Sequence, residues 1–136
     1  MIISYQKHID SVITRELNLP EGDGHQRLGT ELATIDGVTY VFIPDSAALP
    51  TSQPPEIAAS IQTVTLTPTL TATIANASPH VRLIRAQVQE QIAEQYSMAD
   101  EIKLLRTAPS PEFEAYNAHA EASRAWGRAQ KAAIGL

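Results

Sequence analysis

Apolar and polar residues alternate with a period of two in the first half of the chain, and with a period between three and four from Ser78 onward. That change of rhythm predicts an α+β fold: an N-terminal β-hairpin region followed by a C-terminal layer of three to four helices. The two-residue rhythm is clearest over residues 31–43, where Asp36-Gly37 separates ELATI from VTYVFI. Asp-Gly suits a two-residue type I′ turn because both central positions need φ > 0, so the segment predicts a hairpin. Val38, Tyr40 and Phe42 fall on one face of its second strand and Val41 and Ile43 on the other, so both faces want cover. An isolated hairpin is marginal in water. Its cover must come from the helices, from a third strand around residues 61–66, or from another chain.

Upstream, Ile9, Val12, Ile13 and Leu17 are spaced to form one face of a short helix. The β-branched residues among them lower helix propensity, so an extended arm that orders against a partner is the alternative. The run PEGDGHQRLG predicts a loop, and residues 44–56, PDSAALPTSQPPE, read as a proline-rich connector that is either flexible or ordered by contact. Val64 and Leu66 alternate with threonines as a strand would, and Thr67-Pro68 then looks like an N-cap followed by proline at the first helical position. Leu70, Ile74 and Ala77 continue that short helix. On this reading residues 1–56 hold the arm, hairpin and connector, and residues 57–136 form a mainly helical region.

Three serines punctuate the second half. Ser78-Pro79 opens a helix whose buried stripe is Val81, Ile84, Val88 and Ile92, with Arg82, Gln89 and Glu90 turned away. Ser97 and Asp100 match a capping box with Asp in place of Glu or Gln, and Ile102 and Leu105 supply the apolar face of the helix they open. Thr107-Ala108-Pro109 ends it, and Ser110-Pro111 opens the last helix. That helix carries Glu112 and Glu114 in its first turn and Arg128 and Lys131 near its end, an order that complements the helix dipole, and Gly135 is placed to stop it.

Along this last helix lies a ribbon of alanines, Ala115, Ala118, Ala122, Ala125, Ala129 and Ala132. Steps alternating between three and four residues average 3.5, the period at which a stripe keeps facing a neighbouring helix. The neighbour can be the Ser78 helix of the same chain, the reading the compact punctuation favours, or a helix of another chain. Each buried methyl contributes about 0.8 kcal/mol at best, so the ribbon favours fit over strength. The binding energy is expected from Phe113, Tyr116 and Trp126 beside it, since large aromatics dominate interface energetics. The partner-binding candidates are therefore Phe113, Tyr116, Trp126, Ala115, Ala118, Ala122, Ala125 and Ala129.

Composition narrows the chemistry. The chain has 136 residues, 43% hydrophobic and 18% charged, which is globular. Its net charge of -5 and the lack of any Lys/Arg cluster argue against a nucleic-acid partner. With no cysteine, disulfides and thiolate chemistry are excluded. No run of apolar residues approaches a membrane span, and MIISYQKHID lacks the character of a signal peptide, so a protein made and kept in the cytoplasm until it meets its partner is expected. His8, His25, His80 and His119 have no metal-ligand spacing, the Glu21-to-His25 loop has neither an EF-hand ligand ladder nor a P-loop lysine, and no GxSxG elbow occurs. Arg82, Arg85 and Arg106 read as a solvated helix face. No catalytic residue, metal site or cofactor is expected.

A resemblance adds a setting. Tyr96-Ser97-Met98-Ala99-Asp100-Glu101, then Phe113, Tyr116, Asn117, Glu121, Arg124, Trp126 and Gly127, then Lys131 to Leu136 form a pattern that resembles the carboxyl-terminal part of small tail-associated proteins of temperate tailed bacteriophages. The front portion, residues 8–45, is similar to the beginnings of such proteins. The resemblance implies a non-enzymatic tail component or tail-fibre assembly protein that docks on a fibre or baseplate polypeptide through its helical half, with self-association a further option. It implies the host cytoplasm during assembly and then the virion tail. The alternative is a small phage-encoded regulator or inhibitor that binds a host protein.

Overall fold

The computed structural model describes residues 1–136. The fold is α+β, and the chain divides into two compact units: Met1–Pro79 with Ile134–Leu136, and His80–Ala133. The division therefore falls near Pro79 and not after residue 56. The elements between those points belong to the sheet, for the reasons that follow.

The first unit is built on a four-stranded antiparallel sheet of β1 (Ile2–Tyr5), β2 (Thr30–Ile35), β3 (Val38–Phe42) and β4 (Gln62–Val64), in the order β2-β3-β1-β4. The predicted hairpin is β2–β3. Asp36 and Gly37 take φ of 50° and 80° at its turn, the left-handed pair that a type I′ turn requires. The two faces of β3 are both covered, as its sequence demanded. Val41 and Ile43 pack with Ile3, Tyr5, Leu17 and Ile57 on one side, while Tyr40 and Phe42 join Ile2, Leu32, Ala33 and Ile74 on the other. Leu32 and Ala33 reach the same cluster because the β2–β3 register shifts between Glu31 and Ala33.

Two short helices supply the cover. Helix α1 (Pro55–Ala58) contributes Ile57 to the first cluster, and α2 (Pro68–Ala77) contributes Ile74 to the second. The proline-rich connector is thus ordered by contact: Ala47 and Leu49 pack on the first cluster, and the Gln53 amide exchanges hydrogen bonds with the Asn18 backbone at 2.9 and 3.0 Å. Thr67 caps α2 as expected, accepting from the Leu70 amide at 3.2 Å. The predicted third strand, β4, pairs with β1 and not with the hairpin.

The arm needs correction. Residues 2–5 form a central strand, and Ile9, Val12 and Ile13 make no helical face. Asp10 folds the segment into a tight turn instead: its carboxylate accepts the amides of Val12 and Ile13, each at 2.7 Å, and the Ile9 amide donates to the Ile13 carbonyl at 3.0 Å. A short acidic side chain bonding its own backbone two and three residues on competes directly with helix formation. Leu17 alone of that set is buried.

The second unit consists of α3 (Pro79–Ala93), α4 (Met98–Arg106) and α5 (Pro111–Ala133). Val81, Ile84, Val88 and Ile92 are the inward positions of α3, in agreement with its periodicity. The capping box at Ser97 and Asp100 is complete, with reciprocal bonds of 3.1 and 3.0 Å, and Ser110 accepts from the Phe113 amide at 3.0 Å to open α5. Ile92, Tyr116 and Ala120 form its small core, with Val88, Tyr96, Leu104 and Phe113 around them.

Candidate docking surface on the helical unit

The face that α5 buries is not the alanine ribbon. Tyr116, Ala120, Ser123 and Gly127, at steps of four, three and four, are its buried residues, whereas Ala115, Ala118, Ala122, Ala125, Ala129 and Ala132 are all exposed. An internal alanine seam against α3 is therefore corrected to a different seam of small residues. It is closest at Gly127, where an added Cβ would stand 2.6 Å from Val88 Cγ2. Its one hydroxyl is satisfied along the helix, the Ser123 Oγ donating to the His119 carbonyl at 3.1 Å. This seam is hidden in the sequence because Ser123 is polar and Gly127 has no side chain to mark a buried face.

Two of the three aromatic candidates, Tyr116 and Phe113, also turn inward. Tyr116 is 6% exposed, packs edge-on against Tyr96 with ring centroids 5.0 Å apart, and donates its hydroxyl to Glu101 at 2.7 Å. That hydrogen bond to a carboxylate, followed by burial, raises the Tyr116 pKa above its ordinary value. Phe113 is half-buried beside Tyr116, their ring centroids 6.1 Å apart, and Trp126 is half-buried as well. His119 donates from Nε2 to the Gln91 carbonyl at 2.8 Å, which ties α5 to α3 and fixes the tautomer. A core role thus replaces an outward one for Tyr116, with Phe113 packed against that core, while Trp126 belongs to no core cluster.

Helix α4 supplies the outward apolar face instead. Its Glu101 and Leu104 point to Tyr116 and the core, so that Met98, Ile102 and Leu105, at steps of four and three, look outward. They are 77%, 49% and 60% exposed. Their spacing is legible in the sequence, but there it suggests a buried stripe. Three large apolar side chains in a line roughly 10 Å long form a hydrophobic patch held on one helix. Covering them contributes roughly 3–5 kcal/mol, while the exposed alanine methyls offer at most about 0.8 kcal/mol each. The α4 face concentrates in three side chains what the six alanines together could at most match.

No family model, curated protein or solved structure matches this chain. The site is therefore read from its own chemistry. No group of three His, Asp or Glu side chains converges as a metal site would require, and His25 pairs only with Glu21, at 3.3 Å on an exposed loop. No helix is long and apolar enough to cross a membrane.

Proposed function

We propose that this protein is a non-enzymatic docking protein that binds another polypeptide through its helical unit, with the α4 face Met98, Ile102 and Leu105 as the principal contact. The observation that carries this reading is the outward orientation of that face. It is fixed on its inner side by the Glu101–Tyr116 bond and at its start by the capping box, so the patch is preorganised and loses little entropy on binding. The exposed alanine ribbon of α5 offers a second strip on which a partner backbone can lie close. The resemblance of residues 78–136 to temperate-phage tail proteins supports a fibre or baseplate polypeptide as the partner, met in the host cytoplasm.

The test is co-expression with candidate fibre and baseplate proteins, followed by co-purification of wild type and an Ile102→Ser/Leu105→Ser variant. The wild type should be retained by one of them and the variant lost. A chain that stays monomeric with every one of them, and is missing from purified virions, would sink the tail reading. Capture of a host protein by the same α4 face would move the function to the regulator class.

A further inference from the structure

A concavity lies between α3 and α5 within the helical unit, with a volume of about 440 Å³. Its apolar floor is Ile84, Val88 and the buried Gly127. Arg85, Arg124 and Arg128 stand exposed around it with the half-buried Lys131, and no Asp or Glu lines it. In a chain of net charge -5, this gathers four of the ten Lys and Arg side chains at one place. Arg128 is bonded to Glu121, which also lies near Arg124, and Arg124 lies near the Tyr116 hydroxyl, so both side chains are held in place. Arg128 and Lys131 also complement the helix dipole.

The geometry points to an acidic amphipathic helix of a partner polypeptide as the occupant of this groove. Its apolar side chains would cover the Ile84–Val88–Gly127 floor, and its carboxylates would meet Lys131 and Arg124 and share Arg128 with Glu121. Those cations recur at steps of four and three along α5, and span roughly 10 Å at 1.5 Å per residue. A helix laid alongside presents carboxylates at the same rise, which an extended polyanion does not. A nucleic acid would find room for only about three phosphates on that row, too few contacts for strong binding. A small inorganic anion would leave the apolar floor wet. Helix-in-groove recognition uses both features, the floor for affinity and the rim for specificity.

This inference deepens the docking reading and rests on it for the natural partner, but its test does not. A fluorescently labelled helical peptide with Glu at i, i+4 and i+7 flanking a leucine stripe is titrated with the full chain, and anisotropy is recorded at low and moderate salt. Saturable binding that weakens with salt is expected, falling about tenfold or more when the glutamates become glutamine or when the chain carries Lys131→Glu. The Ile102→Ser/Leu105→Ser variant should bind the peptide as the wild type does. Absence of saturable binding up to about 1 mM overturns the proposal. So does equal binding of the glutamine peptide, or stronger competition from a single-stranded oligonucleotide of matched charge. Loss of binding in the α4 variant would put the peptide on α4 and likewise overturn the groove. Because the glutamine substitution is made in the peptide, the result does not depend on how any variant folds. Failure here leaves the α4 reading to the co-purification test.

Discussion

Gly127→Ala tests how closely α3 and α5 approach. The added Cβ would stand 2.6 Å from Val88 Cγ2 and 3.7 Å from Ile84 Cγ2. Two effects oppose each other. Replacing a glycine inside a helix by alanine gains about 0.5–1 kcal/mol of backbone stability. Against that, 2.6 Å is well inside the ~3.5–4.0 Å optimum for two carbons, and overpacking of this kind costs about 1–3 kcal/mol. Val88 is β-branched and held near one χ1 rotamer in its helix, so the methyl cannot swing aside cheaply and the helices must separate. The clash wins: a net loss of about 1 kcal/mol is expected, lowering the midpoint of a small domain by roughly 4–8 °C.

The control is the same substitution in a Val88→Ala background, where the obstructing methyl is gone and Gly127→Ala should stabilise by about 0.5–1 kcal/mol. Trp126 is the single tryptophan of the chain and neighbours Gly127, so its fluorescence in a urea titration reports the helical unit apart from the sheet. If Gly127→Ala stabilises equally in both backgrounds, α3 and α5 do not meet at this point and the small-residue seam is wrong.

Ala122→Leu with Ala125→Leu should change stability by no more than about 0.5 kcal/mol per site, because both side chains face solvent; an overpacking loss in thermal melts would put the ribbon back inside the core. Ser97→Ala removes the hydroxyl that accepts the Asp100 amide and should cost about 1 kcal/mol of the stability of the helical unit, measured by denaturation, while an unchanged midpoint would mean that α4 frays at its start in solution. The Asp10 carboxyl is held below its ordinary pKa by the amide of Val12 and then that of Ile13. A depressed folded-state pKa means that the contribution is present above the unfolded value and is lost as pH falls through the folded one. The Val12 and Ile13 amide resonances should therefore be constant from neutral pH to about 5 and move only below about 4, and Asp10→Asn should abolish the step; amides that do not respond in the wild type would rule out the turn.

Much of the frame is written locally and can be read locally. Asp36-Gly37 dictates its turn through φ, and Thr67, Ser97 and Ser110 open helices by bonding amides three residues on. Both-sided burial of β3 follows from the apolar residues on both of its faces, Val38, Tyr40 and Phe42 on one and Val41 and Ile43 on the other. What is not legible depends on long-range choices. Nothing local to Ile2–Tyr5 says that it enters the sheet between β3 and β4, pairings that span about 40 and 60 residues of chain. The basic groove needs Arg85 on α3 to be brought beside Arg124, Arg128 and Lys131, which no single window of sequence contains.

The alanine ribbon misleads for a different reason. Alanine is both the smallest apolar residue with a side chain and the best helix former, so a stripe of it at 3.5-residue spacing answers equally well to a buried seam and to an exposed face selected for helicity. The inward face of α5 is decided by stronger interactions: burial of the Tyr116 ring, its bond to Glu101, and the close approach that Gly127 permits. With that face settled, the α4 face and the ribbon ask for different partners. Met98, Ile102 and Leu105 are knobs that need a concave apolar surface to receive them, whereas the ribbon needs a backbone brought near and yields little otherwise. A partner that satisfied either surface alone would gain no more than a few kcal/mol, short of what stable association requires once lost rotational and translational freedom is counted. Stable docking therefore needs α4 and the ribbon engaged together.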